Sequence, residues 1–428
     1  MPPYIITFDQ DPTLELPRTP TTCPHHAAMV CEMPDSRVIK RWNLRIIPLF
    51  IVAILCLGAY AVAGRLCVQF ILRYQGRTGL AAGLLVLFFP LFVLTLVTYL
   101  RLFLTIQLDP GLVPLTNRRG HDAVEPGEKR RRFRSRHNTD PEDPPWVPPD
   151  MNPDSPGLEA FYSKDVFACE VDGRPKWCSE CRQWKPDRAH HSRELGRCVK
   201  KMDHLCPWVG GMVSETSFNF FTQFTFYGAC LCGLCLGIAV YCLNEQLNSD
   251  RILVDGWVIA VIATSSLFGL FAFGMTLTAG RYILTNITNI DMLRRRQTFN
   301  LAVHIPRGTP PSSRYQTITY PLLPLPPPGA TMPGRPGDAA ASTSIRDQGA
   351  SRTFAILKTE PHENPWDLGL CANWKSVMGD SPWDWFLPIR HSPCCDHGSM
   401  HGDYPFGPLL DKLRRRYEVP DPVTGQVP

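Results

Sequence analysis

Charge is what this sequence most conspicuously withholds, and it withholds it locally. Four stretches of about 20 residues carry almost no ionisable side chain: the run beginning at Ile46 (IIPLFIVAILCLGAYAVAG), Leu80 to Leu100, Phe220 to Leu243 and Trp257 to Ala279. Each is long enough to cross a bilayer as a helix, for which roughly 20 apolar residues suffice. Pro90 within the second run is tolerable, because transmembrane helices often carry proline. The near absence of ionisable residues also argues against a transporter, whose substrate pathway needs such groups. No secretory signal is expected, since Met1 to Asp35 has no apolar core of the needed length. It lacks strong net charge, since a formal +5 over 428 residues does not suggest a nucleic-acid partner. It lacks internal repeats. It also lacks the even cysteine spacing of a small secreted disulfide scaffold; the 16 cysteines are scattered, many inside apolar runs, and reduced thiols facing the cytosol are expected.

Basic residues set the expected orientation. Arg37, Lys40, Arg41 and Arg45 precede the first run. Arg101, Arg118, Arg119 and Lys129 to Arg132 follow the second, and Arg281 and Arg294 to Arg296 follow the fourth. The loop around Asn244 to Arg251 is short and nearly neutral. Both termini and the long central loop are therefore expected on the cytosolic side. Arg65, Arg73 and Arg77, on the outer side of the first hairpin, run against this pattern. The central loop begins basic and then turns Pro-rich (PEDPPWVPPDMNPDSP), a composition that buries little apolar surface and reads as disordered. Residues 305 to 352, with PLLPLPPPG, read as a low-complexity spacer.

Between Cys178 and Trp208 the character changes: CSECRQWKPDRAHHSRELGRCVKKMDHLCPW. Cys178-x-x-Cys181 is a standard zinc half-site, because two thiolates on one tight turn can both reach a tetrahedral metal. Cys198 lies 17 residues on, with His190 and His191 between. A redox reading of the C-x-x-C pair lacks the strand–helix surroundings it needs. Asp203, His204 and Cys206 follow within four residues. An imidazole can take a thiol's proton to make the nucleophilic thiolate, and a carboxylate can orient that imidazole. The spacing equally permits Cys206 as the fourth ligand of an all-cysteine zinc site, because four cysteines and three cysteines with one histidine are both ordinary sets.

The segment resembles the cysteine-rich domain of the DHHC palmitoyltransferases. The resemblance lies in KPDRAHH (Lys185 to His191), in CVKKMDH-x-CPWV (Cys198 to Val209) and in Phe220-Phe221. Outside the domain, Asp109-Pro110-Gly111 stands where the family has Asp-Pro-Gly, and Thr288-Asn-Ile-Asp291 where it has Thr-Thr-x-Glu. Asn364-Pro-Trp-Asp-Leu-Gly with Asn373 resembles its C-terminal motif. The match spans about residues 43 to 379. It implies an all-α integral membrane fold: four transmembrane helices, with a small cytosolic zinc-binding domain between helices 2 and 3. The implied layout is a flexible tail (1–42), helices 1 and 2 (43–102), a basic, Pro-rich linker (103–165), the cysteine-rich domain (166–219), helices 3 and 4 (220–284), a region of further motifs around a disordered insert (285–379) and a terminal tail (380–428).

The resemblance also implies chemistry. A first zinc site falls on Cys178, Cys181, His191 and Cys198. A second would fall on Ser192, Leu195, Leu205 and Met212, none a good ligand, so one zinc ion is expected and apolar packing is expected to replace the other. A fungal subgroup of the family is similar in this respect. Cys206 is the implied nucleophile, His204 its base and Asp203 the residue that orients His204. The implied reaction is ping-pong, from palmitoyl-CoA through an acyl-enzyme at Cys206 to membrane-proximal cysteines of substrate proteins at a membrane, with no nucleic acid involved. Lys200, Lys201 and Arg188 are candidates for the CoA phosphates, and Trp208 for the acyl mouth. Cys230, Cys232, Cys235 and Cys242 read as packing residues. Cys394-Cys395 with His391 and His397 is a weak metal or acylation candidate. The departures Gly210-Gly211, Ser214 and Ser217, where the family has an Asn pair, Gly and Asn, are expected to loosen or move the loop before helix 3. The alternative function is a catalytically silent membrane adaptor.

Overall fold

The architecture was obtained as a computed structural model, which describes residues 36–115, 157–249, 253–294, 298–306, 308–320, 351–394 and 403–421. The expected disorder of the linker falls largely on 116–156, and that of the Pro-rich insert on 321–350, both outside the described residues.

Four long helices dominate. α1 (Ser36–Ala59) continues as a π-helix, Tyr60–Tyr74, and a tight turn leads into α2 (Thr78–Leu108). α4 (Phe218–Leu247) and α5 (Gly256–Leu284) form the second antiparallel pair. The apolar spans number 29, 31, 30 and 29 residues. At 1.5 Å per residue each reaches about 44 Å or more, beyond the ~30 Å hydrocarbon core. Side chains such as Leu49, Val86, Leu87, Leu267 and Leu270 are exposed on what the bilayer would cover. A core of Leu66, Cys67, Phe88, Ala239 and Val258 joins the helices. Cys235 and Cys242 belong to that core as the packing reading expected, whereas Cys232 is half-buried and Cys230 is exposed on the helix surface.

Arg65 and Arg77 of the first hairpin have partners. Arg65 pairs with Asp255 at 3.2 Å, and Arg77 reaches Glu245 and the Tyr241 hydroxyl. Ion pairs thus offset the charges of Arg65 and Arg77.

Beyond the helices lies structure the sequence reading did not contain. β1 (Val166–Cys169), β8 (Asn300–Ile305), β10 (Arg352–Lys358) and β9 (Gln316–Tyr320) form an antiparallel sheet in the order β1-β8-β10-β9. β9 lies inside the stretch expected to be a spacer. Its Tyr320 is fully buried against Phe167 and Phe354. Five residues of strand were masked by the Pro-rich average around them. The terminal tail is likewise not a tail throughout. After α7 (Leu370–Met378), which precedes the tail, α8 (Pro382–Phe386) and α9 (Leu409–Tyr417) pack: Gln223 and Tyr227 of α4 donate to carbonyls of residues 384 to 387, and Leu413 and Val419 join the core beside the sheet. The linker's end also folds, with the short helix α3 (Glu159–Tyr162) burying Phe161 beside Leu158.

Candidate active site

The cysteine-rich region is three two-stranded hairpins in succession. β2 (Trp177–Cys178) pairs with β3 (Gln183–Trp184), β4 (His190–Ser192) with β5 (Arg197–Val199), and β6 (His204–Cys206) with β7 (Gly211–Val213). Strands this short are marginal alone, so something must hold the turns.

At the first two hairpins a ligand set converges. Cys178, Cys181, His191 and Cys198 offer donor atoms within 4.8 Å of one another. His191 Nδ1 lies 3.5 Å from Cys178 Sγ, 3.4 Å from Cys181 Sγ and 4.0 Å from Cys198 Sγ. A tetrahedral zinc with bonds near 2.3 Å to sulfur and 2.0 Å to nitrogen separates its ligands by about 3.5–3.8 Å, so the residues fit the ion. Glu180 lies 2.5 Å from His191 Nε2, on the side of the ring where metal-bound histidines commonly meet an orienting carboxylate, although the pair does not have hydrogen-bond geometry. Sequence reasoning missed Glu180; its place within the C-x-x-C turn was the available signal. His190 does not join the cluster. Burial pushes its imidazole down to about 3, so it stays neutral.

The positions of a second set do not form such a cluster. Leu205 and Met212 face each other across β6–β7, and Met212 is buried. Leu195, however, is 40% exposed, which corrects the expectation that all three apolar residues fill the space. The turn is closed by polar contacts instead: the Ser192 hydroxyl donates to Glu194 and accepts from the Leu195 N–H.

The third hairpin carries the remaining chemistry. Asp203 is 4% exposed. Its Oδ2 lies 2.5 Å from His204 Nδ1, and its Oδ1 accepts from the Asn289 N–H at 2.8 Å. That N–H is presented by α6 (Asn289–Leu293), whose start is fixed by a capping box: Thr288 Oγ1 accepts from Asp291 N–H, and Asp291 accepts from Thr288 N–H. The Thr-x-x-Asp pattern announced this helix start, although not its contact with Asp203. His204 Nε2 is buried without a hydrogen-bond partner. Burial pulls the His204 imidazole down, but the Asp203 hydrogen bond and the nearby Cys206 thiol outweigh it and raise the group to about 9. Phe221 packs edge-on against the ring, with centroids 5.2 Å apart.

Cys206 is buried in an apolar cluster with Tyr99, Leu102, Val209 and Phe220. Ile51 and Phe224 flank that cluster and also line a cavity of about 240 Å³ between the spanning helices. Trp208 stands 40% exposed in the cavity wall, near Phe271. On α5 the wall residues Trp257, Val261, Ser265, Phe268 and Ala272 form a helical stripe about 22 Å long.

Two local expectations are corrected. The departures before α4 tie the loop rather than loosen it. Ser214 donates to Pro110 O, Thr216 to Asp109 O, and Ser217 accepts from Ser214 N–H. Gly210, at φ +78°, and Gly211 admit close contact: an added Cβ would meet Leu44 O at 3.0 Å and Ile106 at 2.6 Å respectively. Lys200, Lys201 and Arg188 are buried, and Arg188 is committed to Asp291 at 2.7 Å and to Asn286. Burial withdraws all three from the phosphate role. Of the terminal Cys/His tract, Cys395 and His397 lie outside the described residues, while Cys394 is half-buried against the sheet's core.

Residues 171–296 match the family model of the DHHC palmitoyltransferases. Similar chains include the palmitoyltransferase pfa5 of Aspergillus fumigatus, 38% identical over 88% of this chain and 90% of the relative. The pfa5 of Emericella nidulans is 36% identical over 92% and 90%. The PFA5 of Eremothecium gossypii is 24% identical over 88% and 90%.

Proposed function

This chain belongs to the DHHC palmitoyltransferase family, and on that premise we propose that Cys206 carries the acyl group between palmitoyl-CoA and the cysteine of a substrate protein. The protein is a protein S-acyltransferase with four helices apolar enough to cross a membrane. The observation that carries the assignment is the convergence of Asp203, His204 and Cys206 on one hairpin, against the apolar cluster that borders the cavity.

His204, raised to about 9, holds the Cys206 proton on Nε2 as an imidazolium, leaving the sulfur free to react, while Asp203 holds Nδ1 and stabilises that charge. The Cys206 sulfur attacks the thioester carbonyl, the carbon–sulfur bond to CoA breaks, and the imidazolium returns its proton to the departing CoA sulfur. In the second half the thiol of a substrate cysteine gives its proton to His204. Its sulfur attacks the acyl-Cys206 carbonyl, and Cys206 recovers the proton as it leaves. The acyl chain lies in the cavity, where each buried methylene contributes about 0.8 kcal/mol. Trp208 stands at the mouth.

The ion role is structural. One zinc held by Cys178, Cys181, His191 and Cys198 would lock the first two hairpins and so fix the base of the third. The basic flanks of the spanning helices support a topology with both termini and the zinc domain in the cytosol, the side on which acyl-CoA and the membrane-proximal cysteines of substrates would meet them.

The test is incubation of the purified chain with labelled palmitoyl-CoA beside Cys206→Ser. Hydroxylamine-sensitive label on the native chain alone is the expected result. Equal label on both removes Cys206 from the nucleophile's place, and no label on either, in folded protein, favours a silent adaptor.

A further inference from the structure

Tyr404 to Gly407 lie far along the chain from the reacting residues, in a segment the mechanism above does not use. Tyr404 is nonetheless 6% exposed. Its hydroxyl donates to the buried Glu215 carboxylate. Its ring lies beside the Arg188 guanidinium at 5.7 Å and the Lys201 ammonium at 5.6 Å, distances at which the ring face attracts a cation. Arg188 is thereby held between two aromatics, Trp366 at 5.1 Å being the other. Phe406 stacks on Trp366 at 6.2 Å. The Gly407 N–H donates to Pro365 O at 2.8 Å, and a Cβ at Gly407 would collide with the Asp367 carbonyl. The segment is thus seated closely against the Asn364-Pro-Trp-Asp stretch.

Each group that Tyr404 touches leads to Asp203. Arg188 grips Asp291 at 2.7 Å, and Asp291 fixes the start of α6, whose Asn289 N–H binds Asp203. Lys201 is two residues from Asp203 and sits at φ +40°, a conformation that a non-glycine residue keeps only where its surroundings enforce it. Glu215 is two residues from Val213, whose carbonyl accepts from the Asp203 N–H at 3.0 Å. Lys201, Asp203 and Glu215 also line one cavity of about 20 Å³, room for a single water. Burial pushes the Glu215 carboxyl up to about 7, with the Tyr404 hydroxyl, Lys200 and Lys201 opposing and Cys394 adding to the rise. Keeping so costly a group beside the reacting loop fits a positioning task.

We propose that Tyr404 is a positioning residue, and that the segment Tyr404–Gly407 is a clasp whose seating holds Asp203, and through it His204, in reactive alignment. The inference rests on the assignment of Asp203, His204 and Cys206 above.

The full-length protein in detergent would be compared with Tyr404→Ala, Tyr404→Phe and Gly407→Ala. Two readouts are taken: kcat and KM for Cys206 acylation by palmitoyl-CoA, and the titration midpoint of the His204 imidazole by NMR of histidine-labelled protein. Tyr404→Ala is expected to lower kcat by about 10²-fold, with KM within about twofold because the acyl chain's contacts are untouched. Gly407→Ala, which unseats the segment without altering Tyr404, should fall in the same direction. Tyr404→Phe keeps the ring between Arg188 and Lys201 and should lose about fivefold or less. The groups facing His204 are Asp203, Cys206 and the Phe221 ring. Misaligning Asp203 therefore moves the midpoint down from about 9. An unmoved midpoint with native kcat in both Tyr404→Ala and Gly407→Ala overturns the clasp, as does a kcat loss that only tracks lost folded protein. If acyl label is absent from Cys206 in the native chain, the nucleophile assignment fails instead, while the His204 midpoint still reads the clasp.

Discussion

The two halves of the cysteine-rich region solve the same mechanical problem with different chemistry. Each must hold a short hairpin that could not stand alone. The first half gathers three thiols and an imidazole around a space that fits a zinc ion. The second, at Ser192, Leu195, Leu205 and Met212, has a hydroxyl closing its turn and a cross-strand apolar pair of half-buried Leu205 and buried Met212. The reacting residues sit on the second half. The difference teaches that the reactive hairpin is braced from outside, by Asn289 from α6 and by the 109–113 loop. That loop's Pro110 O and Asp109 O accept from the Ser214 and Thr216 hydroxyls, just past β7. A metal directly beneath the nucleophile is not the only way to fix it.

Breaking the first half should have the largest effect. Structural zinc contributes an apparent ~10–16 kcal/mol in small domains, so Cys178→Ser, or strong chelation, should abolish both metal content and acylation, read by elemental analysis and label incorporation. Asp203→Asn leaves both halves folded and removes the carboxylate. Acylation should slow by about 10²–10⁴-fold. The pH dependence should shift with it. Asp203 is a cause of the raised His204, near 9, so the native rate should decline as pH rises through that value and the imidazolium that protonates CoA is lost. In Asp203→Asn the decline should move to lower pH, toward the ordinary histidine range near 6.5.

Smaller effects separate the members of the second half. Met212→Ala opens a void under a buried side chain and should cost about 2–5 kcal/mol, measured by denaturant unfolding of the zinc-loaded protein. Leu195→Ala, at an exposed position, should stay within about 0.5 kcal/mol. Equal costs at the two positions would restore the reading in which all the apolar replacements pack together.

Much of this was legible in the sequence. Four uncharged runs set the spanning helices because a bilayer demands length and apolarity, which composition records directly. The Cys178-x-x-Cys181 half-site with Cys198 beyond it was plain too, although the residues alone left His190 beside His191 and Cys206 as a rival ligand, and only the family resemblance chose among them. What escaped was structure made by distant partners. β9 is five residues long and hidden in a Pro-rich average. Arg188, Lys200 and Lys201 looked like free cations because nothing local announces that Trp366, Asp291 and Tyr404 will bury them. Ser214 and Ser217 looked like losses, since their hydrogen bonds reach the Asp-Pro-Gly loop and the backbone of their own turn only after folding.

The central claim is that one metal-held half suffices to support an acylated Cys206. Zinc content and acyl stoichiometry, measured on the same purified sample after exposure to palmitoyl-CoA, test it directly. The account predicts one zinc per chain and hydroxylamine-labile acyl at Cys206. Two zinc ions per chain, or one zinc with no acyl on folded protein, would contradict it.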